Sequence, residues 1–125
     1  MLQAQTPVAT VAVRDIGAAR RFYEDQLGLT PANAEMPSVV SYDCGRGSLL
    51  VYQSNFAGTN KATCVTWMVG DDLSYAVASL KAKGVVFEHY EMPDAVRDGD
   101  IHTFGPIRNA WFKDPDGNIH NLVNV

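Results

Sequence analysis

The chain has 125 residues, of which 46% are hydrophobic and 19% charged, with a formal net charge of −4. That suffices for one ordinary soluble domain with a real core, and the acidic balance, with no basic stripe, argues against a nucleic-acid partner. Met1 to Pro7 lacks the basic start and apolar stretch of a signal peptide, no run approaches the roughly 20 apolar residues of a membrane span, and Cys44 and Cys64 fit neither a CxxC nor a Cys/His zinc spacing, so the expectation is a cytoplasmic protein with reduced thiols and no membrane association.

In chain order, the first pattern is VAVRDIGAARRFYEDQLGL from Val11. A strand-like run ends in Val13-Arg14-Asp15, and Asp15 is placed to cap a helix by accepting the free N–H groups of its first turn. Ile16, Ala19, Tyr23 and Leu27 then have helical apolar spacing, and Gly28 supplies a left-handed stop. Val39 to Cys44 and Ser48 to Gln53 alternate as strands around the turn Gly45-Arg46-Gly47. The polar stretch SNFAGTNKAT, from Ser54 to Thr63, suits a connector.

The next pattern repeats the first. In TWMVGDDLSYAVASLKAKGVVF, from Thr66, a strand ends in Val69-Gly70-Asp71, and Leu73, Ala76, Val77 and Leu80 have helical spacing before Gly84. The offset from Asp15 to Asp71 equals that from Gly28 to Gly84, so Asp71 is expected to cap as Asp15 does. Val85 to Tyr90 reads as a strand. Arg108 to Lys113 and Asn118 to Val123 flank the turn Asp114-Pro115-Asp116-Gly117, whose acids serve their own backbone. The second copy is longer than the first, and the excess is placed in Glu91 to Gly105, a stretch rich in Asp, Pro and Gly that reads as a long loop. The organisation is β-α-β-β-β twice, an α+β chain with module one over about 6–53 and module two over about 63–125 of a single domain.

Val13-Arg14-Asp15-Ile16, Phe22-Tyr23, Leu27-Gly28-Leu29 and Phe112-Lys113-Asp114-Pro115-Asp116-Gly117-Asn118 together resemble the pattern of the vicinal oxygen chelate superfamily, which includes glyoxalase I, extradiol dioxygenases and the bleomycin- and fosfomycin-resistance proteins. The resemblance implies two modules whose curled mixed sheets enclose a ligand cavity, with helices outside. In the metal-dependent members that the pattern resembles, a divalent ion is held there by His, Gln or Glu at set strand positions. Transferred here, those positions are Val8, Val51 (or Tyr52 if the strand slips), Cys64 and Asn121. Valines cannot coordinate, an amide oxygen is a weak ligand and Cys64 alone holds nothing, so neither metal nor other cofactor is expected.

Asn121 and His120 are strand neighbours, so if Asn121 faces the cavity His120 faces the helix side or solvent, as a surface or half-buried residue. Cys64 reads as a small buried residue rather than a nucleophile, because no cation or helix start adjoins it in sequence. Tyr52, Cys64, Thr66, Phe104, Trp111 and Asn121 are the candidate ligand contacts, and His102, in the expected loop, or Tyr90 beside it, is the candidate acid–base residue. The resulting expectation is a metal-independent protein that holds an apolar or aromatic small molecule and forms a homodimer like the drug-sequestering members. The alternatives are a metal-dependent lyase or isomerase resembling glyoxalase I and a metal-free acid–base enzyme.

Overall fold

A computed structural model describes residues 1–33 and 36–125, which divide into two compact units, Met1–Asn60 and Lys61–Val125. In the first unit, β1 (Ala9–Val13) leads into α1 (Ile16–Arg20), which continues as a π-helical turn over Arg21–Gln26. Asp15 caps as its position dictates, its Oδ1 accepting from the N–H groups of Gly17 (2.9 Å) and Ala18 (3.2 Å). Gly28 ends the helix with φ 76°, a conformation that side chains with a Cβ disfavour. Strands β2 (Pro31–Asn33), β3 (Val39–Cys44) and β4 (Gly47–Gln53) complete a mixed sheet in the order β1-β4-β3-β2, with β1 and β4 parallel.

The helix side of this sheet buries Val11, Val13, Val40, Tyr42, Leu49 and Val51. Tyr23 stacks on Tyr42 with centroids 6.1 Å apart, and the Tyr42 hydroxyl donates to Glu24 Oε2 at 2.9 Å. Arg20 Nε donates to the same carboxylate at 2.7 Å, which holds Glu24 below its ordinary pKa. Burial, followed by the bond to Glu24, pushes the Tyr42 phenol up, so it stays protonated.

In the second unit, β5 (Thr63–Met68) is followed by a 3₁₀ turn over Gly70–Asp72 and by α2 (Leu73–Ala82). Here the expected cap is corrected. Asp71 lies inside the 3₁₀ turn, the N-cap position belongs to Asp72, and no side chain caps the helix. Gly84 stops α2 with φ 90°. The strand expected over Val85 to Tyr90 shrinks to β6 (Phe87–Glu88).

The presumed loop is a second correction. Glu91 to Gly105 contains β7 (Val96–Asp98) and β8 (Ile101–Phe104), a hairpin turning at Gly99 and Asp100. All three β7 residues are exposed, so the strand lacks the in–out alternation by which strands are read. Pairing alone makes it a strand. Asp100 ties the hairpin turn to the rest of the unit, accepting from Lys81 Nζ of α2 at 2.7 Å and lying 2.8 Å from His89 Nε2. With β9 (Ile107–Lys113) and β10 (Ile119–Val123), the sheet runs β5-β10-β9-β8-β7, and β6 pairs with the part of β9 that β8 leaves free. As in the first unit, the first and last strands of the core, β5 and β10, are parallel.

The turn between β9 and β10 is built by Asp114. Its Oδ1 accepts from the N–H groups of Asp116 and Asn118, both at 2.9 Å, and its Oδ2 accepts from Asn118 Nδ2 at 2.8 Å. On the helix side, His120 is completely buried, not the surface or half-buried residue expected. Its ring stacks on Phe112 (4.9 Å) and Trp67 (6.2 Å), and Trp67 Nε1–H donates to His120 Nδ1 at 3.0 Å. That bond places the imidazole proton on Nε2, and burial lowers the pKa to about 4. Arg108 also lies on this side, its guanidinium 3.4 Å from Ser74 Oγ of α2.

Candidate ligand-binding face of the second unit

Side chains of paired strand residues share a face, so the registers decide which candidates meet. On the sheet face opposite α2, Thr66 of β5 lies beside Asn121 of β10, and Asn121 lies beside Trp111 of β9. Trp111 in turn pairs with Glu88 of β6, while His102 of β8 pairs with Asn109 on the same face. Three of the expected contacts, Thr66, Asn121 and Trp111, therefore form one row across the sheet. Phe104 shares the face at the end of β8, opposite Ile107. Cys64 lies on β5 at the register irregularity between the Thr63–Ile119 and Val65–His120 pairs. Tyr52 belongs to the first unit, where it is partly exposed on β4.

His102 and Tyr90 join this row through Trp111. The His102 ring stands edge-on to the indole at 5.0 Å, and the Tyr90 ring does so at 5.6 Å. The backbone N–H of Tyr90 donates to His102 Nε2 at 2.9 Å. A neutral imidazole with an accepting Nε2 carries its proton on Nδ1. Burial lowers the His102 pKa, with backbone oxygens of Asn109 and Asp100 pulling the other way, so the ring is neutral near pH 7. Burial, reinforced by Glu88, raises the Tyr90 pKa, so the phenol keeps its proton.

Three buried side-chain polar atoms among the described residues have no hydrogen-bond partner: His102 Nδ1, Tyr90 Oη and Asn121 Oδ1. All three belong to residues that flank Trp111. Leaving such an atom unsatisfied costs about 1–3 kcal/mol, so a cluster of three is a marked departure from ordinary packing. The indole N–H of Trp111 donates to Thr63 Oγ1 at 3.2 Å, which leaves the ring itself for apolar contact. Of the charges nearby, Glu88 pairs with Lys113 at 3.0 Å, while Arg97 donates to the neutral Gly99 carbonyl at 2.8 Å and keeps its charge.

The family's metal positions do not fit an ion. Cys64 Sγ donates to the Ile119 carbonyl at 3.4 Å, and burial followed by the charge of Asp114 pushes its pKa up, so the thiol is protonated and inert. In the first unit the transfer moves by one residue. Leu50 pairs with Thr10 as Asn121 pairs with Thr66, whereas Val51 is buried on the helix side. Leu50 therefore stands where the second unit has Asn121, and neither it nor Val8 can coordinate a metal. Among the described residues, no three His, Cys, Asp or Glu side chains come together as a metal site.

The comparisons with known proteins agree with this architecture. A family model for the glyoxalase/bleomycin resistance protein/dioxygenase superfamily matches residues 6–122. The chain belongs to that superfamily. No curated protein matches it significantly. Among solved structures, an integron cassette protein from the mobile metagenome of the Halifax Harbour sewage outfall superposes with a TM-score of 0.71 at 13% identity, covering 98% of this chain and 99% of that one. The fosfomycin resistance protein FosX of Mesorhizobium loti gives 0.69 at 14% identity, covering 100% and 94%. A lactoylglutathione lyase of Agrobacterium tumefaciens gives 0.69 at 18% identity, covering 96% and 92%. At these identities the likeness is one of fold.

His102 was legible as a polar residue in an unusual stretch, but its contact with Trp111 was not. Tyr90 lies beyond the short β6, where strand parity no longer predicts direction. Glu88, its ion pair with Lys113 and its place beside Trp111 carried no signal in the sequence.

Proposed function

We propose that the protein is a metal-independent small-molecule-binding member of the superfamily, and that it holds an aromatic ligand on the second unit's open face against Trp111. The observation that carries this reading is the trio of buried, unpartnered polar atoms around one indole ring. An apolar ring supplies contact area, and a few converging polar groups fix orientation, which is the usual make-up of a small-molecule site. The donor set at the family's metal positions, a protonated thiol and an amide in this unit and hydrocarbon in the other, supports metal independence.

His102 suits hydrogen-bond donation better than acid–base catalysis. The only lone pair of its neutral ring already accepts the Tyr90 N–H, so taking up a proton breaks that bond. A homodimer and a cytoplasmic location go with this reading and rest on family membership. No helix among the described residues is long and apolar enough to cross a membrane.

The test is titration of the purified protein with uncharged bicyclic aromatic compounds, followed by tryptophan fluorescence with and without a chelator. The chain has two tryptophans, so Trp111→Phe and Trp67→Phe assign the signal. Saturable quenching that survives chelation and disappears in Trp111→Phe is expected. Binding that requires an added divalent ion, or that persists unchanged in Trp111→Phe, overturns the proposal.

A further inference from the structure

Between β6 and β7 the chain has to leave the sheet. β6 ends at Glu88 opposite Trp111, and β8 takes up the same edge of β9 at His102 opposite Asn109. Only Ala110 lies between those two partners, so β6 has no edge left to follow beyond Glu88. Residues 89–95 then run outside the ladder until Val96 pairs with Thr103. Both ends are anchored, Glu88 by its strand pairing and by Lys113 at 3.0 Å, and Val96 by β8.

Between these anchors the fastenings are few. Among the described residues, two hydrogen bonds tie the segment to the rest of the unit. His89 Nε2 meets Asp100 Oδ1 at 2.8 Å, and the Tyr90 N–H donates to His102 Nε2 at 2.9 Å. A third bond, from the Ala95 N–H to the Met92 carbonyl at 3.2 Å, is internal. The Tyr90 ring is the packed part, edge-on to Trp111 at 5.6 Å and 6.0 Å from the His102 ring, which is completely buried. This closure carries a cost, because the Tyr90 hydroxyl is buried without a partner. It regains water only when the segment moves away from the sheet.

We propose that residues 89–95 form a strap that lifts from the open face while the sheet stays folded, with the His89–Asp100 contact as its fastening. Lifting hydrates the Tyr90 hydroxyl and uncovers one side of the Trp111 ring. Asp100 stays in place when the strap lifts, because Lys81 Nζ holds its other oxygen at 2.7 Å. A segment with so few contacts opens at a lower free energy than the strands beneath it. Access to Trp111 is thus set by the strap, an inference that rests on the binding reading above only for what enters.

Amide hydrogen exchange of the whole unliganded protein at pH 7 reads the strap without any ligand. The Tyr90 amide is expected to exchange by a local opening that low urea does not change, while the amides of β9 and β10 follow global unfolding. His89→Ala, at an exposed position, speeds exchange at position 90 by about threefold, and His89→Gln, which keeps a donor for Asp100, restores it. Tyr90→Phe removes the stranded hydroxyl and slows exchange there by about tenfold. In a Trp67→Phe background, acrylamide quenching of Trp111 rises with His89→Ala and falls with Tyr90→Phe. Thermal melts confirm that each variant is folded, and the exchange measurements need no tryptophan change. Exchange of the Tyr90 amide with the same urea dependence as β9 overturns the strap, and so does exchange at position 90 that neither variant moves. If these shifts appear and bicyclic aromatic compounds still fail to bind, the binding reading falls and the strap stands.

Discussion

The two units share one plan and differ in what they leave unsatisfied. Each has a helix over one face of a mixed sheet whose first and last core strands are parallel. On both helix sides the buried polar groups are answered: Tyr42 donates to Glu24, and His120 accepts from Trp67. On the open faces the units part. Leu50 occupies, by register, the place that Asn121 holds in the second unit, and the atoms without partners gather around Trp111. The same face exists in each copy, and side-chain identity alone makes it apolar at this position in one and polar in the other.

That contrast predicts that helix-side polar groups serve stability and open-face polar groups do not. The largest effect belongs to His120. Its folded pKa is lowered to about 4 from 6.5. The unfolded chain therefore takes up the proton first, and stability is lost as pH falls from about 6.5 toward 4, by about 3 kcal/mol from this residue alone. Urea midpoints at pH 7 and pH 4.5 measure the loss. His120→Gln, which keeps an acceptor for Trp67 Nε1, should show a shallower fall, and an unchanged pH dependence would contradict the assignment.

Next comes Asp114, whose buried carboxylate accepts from two backbone N–H groups and from Asn118. Asp114→Ala should cost about 2–3 kcal/mol, because these are bonds to a charged acceptor and the freed donors stay partly buried. Asp116→Ala in the same turn serves as the control, and equal urea midpoints for the two variants would refute the account.

The smallest effect is the sharpest test of the comparison. Asn121→Leu installs in the second unit the residue found at the matching position of the first. It removes a buried unsatisfied oxygen and should raise stability by about 1 kcal/mol while weakening ligand binding. A fall in thermal midpoint would show that Asn121 has a structural partner after all.

Some of this was readable before any coordinates. Asp15, Gly28 and Gly84 act through bonds within a few residues of themselves, so their roles follow from local spacing. The Asp114 turn is legible for the same reason. Asp71 misled because a 3₁₀ turn displaced the helix start by one residue, a shift that spacing does not encode. The β7–β8 hairpin was hidden because β7 is exposed along its whole length and gains its identity from β8. A one-residue difference in register separated Leu50 from Val51, and such a slip exchanges the faces of a strand.

The sequence by itself determined the duplicated plan, the turns and the family, because all of these are carried by residue type and short-range spacing. Tertiary structure alone decided that Tyr90, His102, Trp111 and Asn121 share one face, and that three of their polar atoms are buried without partners. Those facts depend on which strands pair and in what register, and pairing joins residues far apart in the chain through bonds that no local pattern specifies.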